Sequence, residues 1–183
     1  GMPLPRAESL ELLFNVLAVV PAYRERVLPM VRSLCSGLPV EQLMSALQGL
    51  LAGGAHVRAA ALDALPLVPC IGEGCLPSGS DDAVAILWLA CHDAVEANAA
   101  AATALWGTCG AHLPSCGVAS QLITHLGSAH HEIRVAAADA LCAATAEWPG
   151  TSGEVLQLLV DTYATRPQQA VREGIALALG KCS

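Results

Sequence analysis

Eight cysteines and six histidines in a chain of 183 residues are the side chains best equipped for chemistry. They are metal ligands by type, so metal binding is the first chemistry to test. Cys109, His112 and Cys116 fall within eight residues of one another, and Cys91 and His92 could add to them. A structural zinc site wants four ligands, usually in paired C-x2-C spacing, and that spacing is absent. Cys70 and Cys75, with four residues between them, could form a disulfide or redox pair. No charged-then-apolar leader opens the chain, so thiols rather than disulfides are expected. Cys35, Cys142 and Cys182 fall near the ends of helical patterns and suit the role of small buried hydrophobes.

Acid–base and phosphate chemistry fare no better. His130-His131-Glu132 stands at a helix start, where Glu132 complements the positive end of the helix dipole. Neither H-E-x-x-H nor G-x-S-x-G occurs. Gly174 and Gly180 have five residues between them, where a phosphate loop has four. Those five are apolar and helical in pattern, and a helix cannot turn its amides toward phosphate. No catalytic residue, metal ligand or cofactor is expected, and the chain reads as non-enzymatic.

The elements that would position these side chains carry a clearer message. Four segments share one apolar stripe at positions 0, +3, +4, +7 and +8, beginning at Val57, Ala97, Ile133 and Val171. The stripe of the second comprises Ala97, Ala100, Ala101, Ala104 and Leu105. Position +1 is polar each time: Arg58, Asn98, Arg134 and Arg172. The starts lie 40, 36 and 38 residues apart. A helical stripe recurring near every forty residues marks an α-solenoid, in which each helix pair buries its apolar face only by stacking on a neighbour. The expected fold is all-α, with about five helical hairpins near 8–36, 39–68, 81–109, 115–148 and 151–182. Residues 1–7 read as a tag scar and an N-terminal arm, since Gly1 precedes Met2. The Gly-, Pro- and Ser-rich stretch 69–82 is the longest loop signal.

Composition agrees and narrows the partners. The hydrophobic fraction is 54% and aromatics only 3%, so small aliphatic side chains must build the core. Alanine has the highest helix propensity and lets helices approach closely. The net charge is −7 and Lys181 is the only lysine; a nucleic-acid surface would need clustered basic residues. The longest apolar run is about half the ~20 residues a bilayer demands. Proteins are the expected partners, with no direct nucleic-acid or membrane contact.

Val-Arg followed by spaced Ala and Leu resembles the second helix of HEAT repeats over about residues 38–182. That resemblance implies that Arg58, Arg134 and Arg172 brace adjacent repeats through acidic residues, with Asn98 departing from the pattern. A closer resemblance covers roughly residues 50–183. Trp88-Leu89-Ala90-Cys91-His92-Asp93, Glu96-Ala97-Asn98 and Leu105-Trp106 are similar to the central HEAT region of the general control translational activator. So are Glu132-Ile133-Arg134 and the closing run from Ile175 to Ser183. This resemblance implies a cytoplasmic, ribosome-associated scaffold that activates the initiation factor 2 alpha kinase, with ribosomes, that kinase or an ABC-type ATPase as partners. Two alternatives stand beside it: a HEAT adaptor in transport, phosphatase or cytoskeletal assembly, and a small HEAT-like enzyme such as a lyase. Trp88 and Trp106 are expected in the core, and Trp148 on a partner surface. Exposed end faces of the solenoid would permit weak self-association.

Overall fold

The computed structural model of the chain describes residues 6–36, 40–67, 71, 81–111, 113, 117–147, 150 and 152–182. Its described helices are α1 (Arg6–Val19), α2 (Arg24–Cys35), α3 (Val40–Leu51), α4 (Ala55–Ala64), α5 (Asp81–Cys91), α6 (Glu96–Thr108), α7 (Gly117–His125), α8 (His131–Glu147), α9 (Ser152–Thr165) and α10 (Gln169–Cys182). Two short 3-10 turns, Pro21–Tyr23 and Leu65–Leu67, adjoin α2 and α4. There is no strand among the described residues. Cys70, Cys75, His112, Cys116, Trp148 and most of the 69–82 stretch lie outside them.

The helices stack as an α-solenoid. The first helix of each pair forms one continuous layer, α1 on α3, α3 on α5, α5 on α7 and α7 on α9. The second helices form the other layer, with α2 on α4, α4 on α6 and α8 on α10. Between α6 and α8 the stitching changes, because α8 packs on α5 more than on α6. Local signals explain the helix ends. Asp81 and Asp82 occupy the first turn of α5 and Lys181 the last turn of α10, both favourable to the helix dipole. Gly110, at φ 55°, takes the left-handed conformation that stops the chain after α6.

In three of the four repeat units the stripe faces inward. Ile133, Ala136, Ala137, Ala140 and Leu141 of α8 are all buried, and so are Ala60, Ala61, Ala64 and Leu65 around α4. Gly174, Ile175 and Ala178 of α10 are buried too. The third unit departs from the expected register. Ala97, Ala100, Ala101 and Ala104 of α6 face solvent, while Asn98, Ala102, Leu105 and Cys109 are buried. That buried set still has helical spacing, rotated on the axis from the expected stripe. The cause is polar and aromatic. Asn98 is drawn inward to a buried carboxylate, and Trp106 to the ring of Trp88, whereas alanine loses little by facing water.

Ala137 is fully buried where α8 meets its neighbours. Ala137→Leu forces extra carbons into a close-packed layer and is expected to destabilise by about 1–3 kcal/mol. An unchanged thermal midpoint would show the layer to be looser than its burial implies.

Candidate functional site

The turns between paired helices gather a polar seam that runs across three repeats. Its centre is Asp93, in the turn between α5 and α6. The Arg58 Nε of α4 donates to Asp93 Oδ2 at 2.6 Å, and Arg58 Nη2 to Asp93 Oδ1 at 2.8 Å. Asn98 Nδ2 donates to Asp93 Oδ2 at 3.2 Å and to the Ala55 carbonyl at 3.3 Å. The Val95 amide donates to Asp93 Oδ1 at 2.8 Å, a local turn that leads the chain into α6. Arg58 also donates to the Gly53 carbonyl at 2.9 Å, tying down the α3–α4 turn. Its Nη2 reaches Glu132 Oε2 of α8 at 3.1 Å. The Arg58 and Asp93 side chains are only 3% and 2% exposed, whereas Glu132 is 54% exposed.

The geometry explains why an asparagine stands where the other repeats carry arginine. Asp93 is already neutralised by Arg58 in a two-pronged pair. A second guanidinium there would bury an uncompensated charge, while the Asn98 amide donates without adding one. Burial pushes the Asp93 carboxyl upward, but hydrogen bonds from Arg58, Val95 and Asn98 outweigh it and hold the group below 3.8. The Asp93 hydrogen bond, acting against burial, raises Arg58.

Further along, Arg134 of α8 donates to the Ser128 carbonyl at 2.9 Å and lies 3.4 Å from Glu173 Oε2 of α10. Arg172 is exposed, with its guanidinium 5.2 Å from the centre of the Tyr163 ring on α9. Its structural contact is therefore aromatic and within its own hairpin. Cys182, expected as a buried hydrophobe, is exposed at the end of α10.

A second seam is aromatic. The Trp88 and Trp106 rings stand 4.9 Å apart at 53°, and Trp88 meets His92 edge-on at 4.9 Å. Trp88 Nε1 donates to the Ala140 carbonyl of α8 at 2.8 Å, so a first-layer side chain bridges to the second layer where α6 and α8 part. The inward placement expected of both tryptophans holds, since both pack against the buried core. His92 Nε2 is buried without a hydrogen-bond partner among the described residues.

Two histidines make the fold sensitive to acid. Burial lowers the pKa of His92 below 6.5, against the pull of the Asp139 charge, and burial likewise lowers His125. The unfolded chain therefore takes up these protons first. Stability is complete above 6.5 and falls as the pH drops through the folded values. Asp93 acts lower: its contribution is present above 3.8 and is lost as the pH falls through its folded value. The thermal midpoint is expected to drop between about pH 7 and pH 5. Replacing His92 and His125 by Phe should flatten that slope. An undiminished slope would assign it to other groups.

No three ligand-type side chains among the described residues converge on a metal site. No described helix is long and apolar enough to cross a membrane. A shallow groove of about 580 Å³ runs over α8 and α10, lined by Ala176, Leu177 and Gly180 together with His131, Arg134 and Glu173. Sequence reasoning assigned bracing to the arginines and Asn98 but missed Asp93 as the acceptor that Arg58 and Asn98 share, and it gave Glu132 a local role. The available signal was spacing: Asp93 stands five residues before the one asparagine in the arginine series.

Paired helices in two stacked layers, with a polar seam at their turns, define a HEAT-type α-solenoid. The chain belongs to the family described as the HEAT repeats of the stalled ribosome sensor GCN1, whose family model matches residues 78–183. It is 35% identical over 176 residues to Protein ILITYHIA of Arabidopsis thaliana, covering 91% of this chain. The chain spans about 6% of the length of that relative. No solved structure matches it.

Proposed function

We propose that this chain is a non-catalytic, cytoplasmic protein-interaction segment of a large translational-control scaffold, one that serves a stress-responsive initiation-factor kinase. The observation that carries the reading is the family match over residues 78–183, which includes the aromatic seam, Asp93, Asn98 and Glu132 of the polar seam, and the α8–α10 groove. In this reading Arg58, Asn98 and Arg134 brace the repeats, so that the groove and the loop edges keep a fixed shape for a partner. Arg172 contributes by holding α9 through Tyr163. Ribosomes, the kinase or an ABC-type ATPase are the partners proposed.

Large exposed apolar side chains are concentrated at the two ends of the stack. Leu12, Val19, Tyr23 and Met30 belong to the first hairpin, and Leu156, Val160 and Tyr163 to the last. This distribution supports weak self-association of the isolated chain through its end faces.

The test is affinity capture with the tagged chain from lysates of resting cells and of cells with stalled ribosomes, beside an unrelated HEAT fragment of equal length. Ribosomal proteins, the kinase or the ATPase should be enriched over the control. Enrichment of transport, phosphatase or cytoskeletal assemblies instead would assign the chain to another scaffold.

A further inference from the structure

Two thiols from neighbouring repeats meet at the end of the α8–α10 layer. Cys142 lies on α8 and Cys182 is the last residue of α10. The Cys142 thiol donates to the Lys181 carbonyl at 3.3 Å, which sets it against the backbone that leads directly into Cys182. Several features hold them there. Gly174 lets α10 lie directly against the turn after α7, and Ala140, Leu141, Ala144 and Ala178 are fully buried between the layers. The Lys181–Asp139 ion pair joins the same two helices beside the thiols. Cys182 is open to solvent and Cys142 is half-buried. The other described cysteines lack this arrangement: Cys35 and Cys109 are buried, and Cys91 is half-buried on α5.

We propose that Cys142 and Cys182 are a disulfide-forming pair, which hydrogen peroxide oxidises to a bond that staples the last hairpin onto the one before it. The exposed Cys182 thiolate attacks a peroxide oxygen, breaking the O–O bond and becoming a sulfenic acid as hydroxide leaves and takes up the proton the thiol had released, giving one water. The Cys142 thiolate then attacks that sulfur, an S–S bond forms, and the hydroxyl departs as a second water after taking up a proton. Two thiols together lose two electrons and two protons, and one peroxide is reduced to two waters. Partial burial of the otherwise exposed Cys182, reinforced by the neighbouring Cys142, pushes its thiol up to about 11. The thiolate is therefore scarce at neutral pH, and the bond forms slowly there and faster as the pH rises. The pair is a slow staple rather than a rapid sensor. Closing it shuts the edge at which α10 would otherwise lift from α8.

The experiment treats the reduced chain with hydrogen peroxide at neutral and alkaline pH, blocks free thiols, and cleaves after glutamate. Cuts at Glu132, Glu147 and Glu173 release peptides 133–147 and 174–183, each with one cysteine. Mass spectrometry should find these two linked at least tenfold more often than any other cysteine pair, with faster linkage at alkaline pH. The link should reverse with dithiothreitol. Cys142→Ser should abolish it, as should Cys182→Ser at an exposed position where folding is not at stake. Linkage no more frequent than that of other pairs would overturn the proposal. So would Cys182 carried to the sulfinic acid without a link, or joined only to a second chain.

Discussion

Asp93→Ala is expected to cost about 3–5 kcal/mol of folding free energy, because it leaves the Arg58 guanidinium buried without its counter-charge. Arg58 is 3% exposed and donates twice to that carboxylate, so water cannot replace the lost partner. The same substitution frees the Val95 amide at the start of α6 and removes an acceptor from Asn98. A loss of this size is a large share of the about 5–15 kcal/mol that holds an ordinary domain together. Urea denaturation followed by far-ultraviolet circular dichroism reads it directly. Glu132→Ala is the matched control. It removes a carboxylate from the same guanidinium, but one that is 54% exposed. It should cost no more than about 1 kcal/mol. Replacing both members, Arg58→Met with Asp93→Leu, should recover much of the loss, since an apolar pair leaves no stranded charge. An Asp93→Ala chain as stable as its parent would remove the seam from the account of what holds the repeats.

Gly174→Ala is the second large effect, and it runs against helix propensity. In an open helix position the change would stabilise by about 1 kcal/mol. Here a Cβ would sit on the Leu126 carbonyl oxygen and 2.8 Å from its carbonyl carbon. Both are backbone atoms that cannot rotate aside, so α10 must move off the turn that ends α7. Overpacking of this kind costs about 1–3 kcal/mol or more, which outweighs the propensity gain. Gly180→Ala in the same helix meets nothing within 4 Å and should be neutral or stabilising. Opposite signs for these two substitutions in thermal unfolding are the expected result. Equal signs would mean that α10 does not rest on Leu126. The Gly174 variant should also weaken the Cys142–Cys182 contact, since that contact depends on the same seating of α10.

The sequence by itself determined the class of the protein. Alanine-rich stripes at helical spacing, recurring near every forty residues, admit no sheet and cannot be buried by one hairpin. The stripes of α4, α8 and α10 lie inward as their spacing required. Trp88 and Trp106 were legible too, because rings so large in a chain with 3% aromatics have few places to go. Family membership was carried by the same residues.

Only the tertiary structure decided the rest. The rotation of α6 was hidden because alanine occupies nearly every face of that helix, and a side chain of one carbon prefers no face strongly. Asn98 and Trp106 settled it through partners on other elements. Asp93 became the hub of the seam only when Arg58, 35 residues away, and Glu132, 74 residues from Arg58, arrived beside it. Gly174 is in sequence one small residue of an apolar helical stripe, and only the Leu126 backbone placed against it shows why a side chain cannot stand there. Among the described cysteines, Cys142 comes against the Lys181–Cys182 end of α10, a meeting that no spacing rule had signalled. Local pattern specifies what each segment is, since it depends on the next few residues. What each segment touches depends on how separate repeats stack.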